Sequence, residues 1–170
     1  NTQRWALVNL NTGIHTNVVN QATRAIRYFI AEDACSTTNR AAEYNAVRAS
    51  FARWQAVPGT VLKFEDAGLA PAGIDINISD NANVVYWTKN SLWVNGGYDY
   101  IAGALGVCFT GMRENNTIDN ADVVLNAVQN QWFTDYFAPN DNACFVEAVL
   151  VHELWHAIGL GHVTAGGATM

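Results

Sequence analysis

Lysine is nearly missing from this chain: Lys63 and Lys89 stand against fifteen acidic residues, and the net charge is −6. Affinity for a phosphate backbone rests on clustered cations, so no nucleic-acid partner is expected. Long hydrophobic runs are missing too. None approaches the ~20 residues that a helix needs to cross a bilayer, so no membrane span is expected. Cysteine is scarce. Cys35, Cys108 and Cys144 are too few for a disulfide framework and too scattered for a zinc knuckle. Their odd number leaves at least one thiol unpaired within the chain, and two alternatives stay open: a Cys108 to Cys144 bridge, or three free buried thiols. Repeats, low-complexity tracts and linkers are also lacking, so residues 1–170 read as a single domain. Asn1 in place of Met, few lysines and 13 glycines fit a mature secreted chain, although an expression product reads the same way.

The elements follow from patterning. In IRYFIA, residues 26–31, Ile26, Tyr28 and Ile30 alternate with Arg27 and Phe29, as in a strand. Thr37, Thr38 and Asn39 offer N-cap oxygens for a helix running to about Val57, with a buried stripe of Tyr44, Val47, Phe51 and Trp54. Pro58-Gly59 ends it. Strands are predicted at 61–65, at 74–78 (Ile74, Ile76 and Ile78 alternating with polar residues), at 84–87, at 104–109 and at 121–125. A polar turn around 113–120 separates the last two. A second helix is predicted from near Asn142 through 144–158, apolar nearly all round and therefore buried. Strand, helix, several strands, helix describes an α+β fold, one sheet backed by helices.

The chemistry is concentrated in HELWHAIGLGH, residues 152–162, which holds three of the four histidines. His152 and His156 are four apart on the second helix and project from one face. Glu153 points about 100° around from His152, at the edge of that face. Gly159 follows three residues after His156, where a left-handed glycine ends a helix and turns the chain, swinging His162 back toward the other two. Three imidazoles and a vacant fourth position describe a catalytic zinc site, since a structural site is closed by four protein ligands. Glu153 is then placed to take a proton from an attacking water and pass it to a leaving amine.

HExxHxxGxxH is the metzincin pattern, and the chain resembles the matrixins, the matrix-metalloproteinase-like family, particularly their secreted bacterial members. Residues 46–65 resemble the family's first helix running into its second strand, and IDNADVVLN, residues 118–126, the strand before the active-site loop. The resemblance implies a twisted, mostly parallel β-sheet with an antiparallel edge strand, backed by two long helices, and a zinc endopeptidase activity. It implies zinc ligands His152, His156 and His162, general base Glu153, and Met170, eight residues after His162, as a hydrophobic Met-turn under the metal. It also implies a peptide substrate lying along the edge strand at 103–109, with Ala104 and Leu105 as backbone contacts. Three departures stand out. Trp155 occupies a position where the family has glycine, Val163 follows the third histidine where matrixins place serine, and the chain breaks off at the Met-turn. With no cysteine-switch motif present, a C-terminal fragment or a separate inhibitor or propeptide is an expected partner.

Calcium is a second candidate cofactor, through Asp99, Asp119, Asp122 and Asp141, although no EF-hand spacing exists and solvated acidic loops read the same way. Six tryptophans invite a carbohydrate-platform reading, against which core packing is the expected role. His15, the one spare histidine, reads as an ordinary residue. Two readings compete with a peptidase: a zinc scaffold that binds peptides or proteins without turnover, and a zinc hydrolase acting on a non-peptide amide.

Overall fold

A computed structural model describes residues 4–5, 18–20, 22–95, 101–112 and 117–162. Its main sheet has six strands: β1 (Arg4–Trp5), β2 (Ile26–Ala31), β3 (Phe64–Ala70), β4 (Val84–Thr88), β5 (Gly106–Met112) and β6 (Thr117–Asn126). They run in the order β1-β6-β4-β2-β3, with β5 paired to the other side of β6. Every pairing is parallel except β5 with β6, so β5 is an antiparallel edge strand. Helix α1 (Arg40–Gln55) follows β2, the single turn α2 (Leu92–Asn95) follows β4, and α3 (Val146–Ala157) follows a short parallel pair, β7 (Trp132–Phe133) and β8 (Cys144–Phe145).

A parallel sheet needs cover on both faces, and successive residues of its strands divide between them. Val85, Trp87, Val123 and Leu125 point toward the helices, where they meet Tyr44, Val47 and Phe51 of α1 and Val146, Leu150 and Leu154 of α3. Val84, Tyr86 and Val124 point to the opposite face, packing with Val94 of α2 and Ile101. The α1 stripe behaves as its spacing predicts. Helix α3, expected to be buried all round, buries one face only: Val146, Leu150, Glu153, Leu154 and Ala157 are buried, Val149 and Val151 half-buried and Ala148 exposed. Tyr28 of β2 stacks on Phe51 of α1 with ring centroids 3.6 Å apart.

Four predicted elements are corrected. The helix α1 N-terminus is not capped by Thr37, Thr38 or Asn39 oxygens. Ser36 Oγ accepts from the Thr38 and Asn39 N–H groups, and the buried Glu43 carboxylate accepts from Ser36 N–H. The strand predicted at 61–65 begins at Phe64 and runs on to Ala70; Val61 is 91% exposed. Its second half is disguised by a bulge at Ala67-Gly68, where Asp66 pairs with Tyr28 but Leu69, three residues on, pairs with Ile30. Residues 74–78 form no strand, because Asp75, Asn77 and Asp80 side chains take the local amides of Ile76, Ser79 and Ala82. Such bonds compete with ladder pairing. The second helix starts at Val146, not near Asn142, since Cys144 N–H pairs with the Gln131 carbonyl in the β7–β8 pair.

The strand β6 starts at Thr117, inside the predicted polar turn, whose residues 113–116 lie outside the described chain. Its Asn120, Asp122 and Asn126 side chains are buried. Asp122, 1% exposed, accepts from the Asn77 and Val84 N–H groups and ties residues 77–84 to the sheet. Burial pushes the Asp122 carboxyl up to about 7, against the opposing pull of those two amides. Its folded value lies above the ordinary 3.8, so the neutral acid favours the fold: this contribution is complete below pH 3.8 and is lost as pH rises through 7. Asp122→Asn cannot ionise. The native chain should therefore lose stability relative to that variant between about pH 4 and pH 8, as measured by urea midpoints. In the core, Leu150→Ala should cost about 2–5 kcal/mol by the same assay, whereas Val61→Ala should change stability by less than about 0.5 kcal/mol.

Candidate metal centre

Helix α3 ends in a Schellman turn. Gly159 N–H bonds the His156 carbonyl at 2.9 Å and Leu160 N–H the Trp155 carbonyl at 3.1 Å, with Gly159 at φ 91°. A side chain is strained at that φ, so the chain reverses there because glycine does. The reversal has two effects. It presents the Leu160 carbonyl to His156, whose Nδ1 donates to it at 2.8 Å. That bond fixes the tautomer and leaves Nε2 free to ligate. It also returns His162 to the helix face, with its Nε2 3.5 Å from Nε2 of His152.

Ligating nitrogens of His152, His156 and His162 all lie within 4.8 Å of one another. A tetrahedral ion with nitrogens at 2.0–2.1 Å sets them about 3.3 Å apart, close to the observed separation of the first and third histidines. Desolvation lowers the His152 pKa, and the neighbouring imidazoles lower it further. Neutral rings are what a metal requires. The donor set and geometry fit zinc, with no fourth protein ligand among the described residues.

Glu153 lies beside the histidines, 5% exposed. Burial pushes its carboxyl up to about 7, while the Cys108 backbone N–H, donating to it from β5, pulls the other way. Its stem occupies space that a side chain at position 106 would need: a Cβ on Gly106 would sit 3.0 Å from Glu153 Cγ and 3.2 Å from Leu125 Cδ2. Glu153 is thus held between α3 and the edge strand. An open cleft of about 410 Å³ adjoins it, lined by Leu105, Gly106, Ala148, Val149, His152 and Glu153.

The structure brings together Glu153, His152, His156 and His162. Met170 and Val163 lie outside the described residues, as do His15 and Asp99. Leu105 lines the cleft, 44% exposed. Both backbone groups of Ala104 are engaged within the chain, its N–H with the Ile101 carbonyl and its carbonyl with Asn126 Nδ2. Among the described residues the histidines are the one group of three or more potential ligands, so Asp119, Asp122 and Asp141 do not gather for calcium. Cys35, Cys108 and Cys144 are all free, as in the second of the two thiol alternatives, but each is half-buried and not buried. Of the tryptophans with described side chains none is exposed. Trp155 packs on Trp54 of α1 at 5.4 Å and does not line the cleft, so the indole finds its room between the helices. Sequence reasoning missed Gly106, the Cys108 amide and the Leu160 carbonyl. The first two meet Glu153 only through tertiary packing, and the third acts through its backbone, so none leaves a motif.

Three histidines converging on one point beside a buried glutamate define a zinc hydrolase type of centre. The family model described as Matrixin matches residues 20–170, and the chain belongs to that family of zinc-dependent metallopeptidases. Searches of curated proteins and of solved structures return no significant match.

The chain should bind one zinc ion, measurable by metal analysis after dialysis, and release it as acid protonates the imidazoles. His162→Ala should weaken binding by more than the ~10–100-fold that follows loss of a residue that merely orients a ligand.

Proposed function

We propose that this protein is a secreted endopeptidase in which Glu153 is the general base for attack of water on a peptide carbonyl. The observation that carries the reading is the position of the Glu153 carboxylate, buried next to the three histidines and open to the cleft on one side. Zinc held by His152, His156 and His162 would supply a Lewis acid that polarises the carbonyl and acidifies water toward neutral pH.

The chain's own groups do the rest. The Cys108 N–H holds the Glu153 carboxylate in place, so the base needs no reorganisation when it accepts a proton from the attacking water. The same carboxyl then delivers that proton to the nitrogen of the leaving amine, which balances the hydrolysis. Leu105, Ala148 and Val149 give the cleft apolar walls suited to one apolar side chain of the substrate. The Leu105 carbonyl accepts from Asn126 N–H. Antiparallel alternation therefore turns the backbone groups of Gly106 and Thr110 and the Cys108 carbonyl away from β6, along the outer edge of β5, where the Cys108 N–H is taken by Glu153. An extended peptide adds to such an edge as a further strand. In this reading the contact expected of Ala104 and Leu105 is made chiefly by the Leu105 side chain. Export from the cell belongs to the same proposal, with support from composition alone; fractionation of the producing cells tests it.

Proteolysis of a denatured protein by the zinc-loaded chain should stop on chelation and return when zinc is restored. Glu153→Ala should keep the metal and lose about 10²–10⁴ in kcat. Cleavage that survives both treatments would overturn the mechanism. Stoichiometric zinc with peptide binding and no cleavage would instead favour a silent scaffold.

A further inference from the structure

Asn126, the last residue of β6, is 0% exposed, and its hydrogen bonds run in two directions. Its Oδ1 accepts from the Val128 and Gln129 N–H groups at 3.2 and 3.1 Å, closing the turn that ends the strand. Its Nδ2 donates to the Ile101 carbonyl at 3.1 Å, the Ala104 carbonyl at 2.9 Å and Gln129 Oε1 at 2.9 Å. The Asn126 main-chain N–H goes to the Leu105 carbonyl at 2.9 Å. Gln129 Oε1 in turn accepts from Gly103 N–H at 3.0 Å. No polar atom of the buried amide is idle.

The bonds that leave the turn converge on residues 101–105, which lead into the edge strand β5. The β5–β6 pairing begins only at Gly106, opposite Leu125, so the stretch before it needs other partners. Three of its carbonyls and the Gly103 N–H find them on Asn126 and Gln129. Leu105 gives this support a meaning for the site. It lines the cleft beside Glu153 yet is 44% exposed, so the place of this wall is set by its backbone and not by packing around its side chain. Gly106 comes next, where the chain passes close against the Glu153 stem.

Resting on the peptidase reading above, we infer that Asn126 is a positioning residue for substrate selection. It is too buried to touch a substrate, and it holds the Leu105 wall where an apolar substrate side chain meets it. A wall held in advance spends no binding energy on being ordered. Both halves of the amide are needed. An aspartate keeps the turn through its oxygens but loses the donors, and leaves the Ile101 and Ala104 carbonyls facing a carboxylate. The wall is then released, while the metal ligands on α3 stay in place.

The test compares the native chain with Asn126→Asp on a peptide that is cut beside a leucine, and on its twin with alanine at that position. The native chain should prefer the leucine peptide. In the variant that preference, taken as a ratio of kcat/KM values, should shrink by about tenfold, through KM, with zinc bound as tightly as before. A residue that only stabilised the fold would lower both peptides alike. Because a buried carboxylate threatens folding, Gln129→Ala supplies a milder cut at an exposed position. It removes the acceptor for Gly103 N–H and for one Asn126 bond, and the same ratio should shrink by about threefold. In a Glu153→Gln background, where nothing is cleaved, fluorescence anisotropy of the two labelled peptides should show the same loss of discrimination. Unchanged ratios in both variants would overturn the assignment, as would an equal loss on both peptides. Failure of the native chain to cleave any peptide, with the anisotropy discrimination lost on substitution, would overturn the peptidase reading and leave Asn126 in its role.

Discussion

Everything at the metal centre depends on the backbone reversal at the end of α3. Two of its hydrogen bonds close the helix, and a third, from His156 Nδ1 to the Leu160 carbonyl, couples that closure to the state of a ligand ring. The turn thus performs two tasks: it delivers the third imidazole, and it sets the tautomer of the second. A left-handed glycine is the condition for both. A residue with a Cβ at position 159 would strain the turn, and the strain would be felt at two of the three ligands at once.

Helix α3 serves the core and the site together. Leu150 and Leu154 are fully buried against the sheet, while His152, Glu153 and Val149 reach the cleft. Neighbouring positions on a helix point in different directions, so a single rigid element separates packing from chemistry without a loop between them. Trp54 adds to that rigidity by donating its indole N–H to the Val151 carbonyl, one residue before the first ligand. The edge strand completes the arrangement from the other side, through the Cys108 amide and the space left by Gly106.

Much of this was legible in the sequence, and what was hidden shares a physical reason. The stripe of α1, the strands β2 and β4 and the histidine pattern rely on local periodicity, which a single chain displays. The strand β3 was obscured because its bulge places Ala67 and Gly68 where alternation should be, and β6 because Asn120 and Asp122 are buried polar residues with partners forty residues away. The isoleucines at 74, 76 and 78 show the opposite failure. They alternate as a strand does, yet Asp75 and Asn77 between them take the amides of Ile76 and Ser79. At the site the ligands were visible because metal geometry demands fixed spacing. The groups that position Glu153 were not, because distance in space leaves no such mark.

The order of elements along the chain has a consequence for synthesis. Every strand of the six-stranded sheet, and α1, precedes α3, so a polypeptide emerging from the ribosome completes the surface that buries this helix before the helix exists. The three imidazoles follow those strands along the chain and meet a sheet already synthesised. A nascent molecule consequently has no assembled metal cage until α3 and the turn after it have been made, by which time every strand of its own sheet already exists.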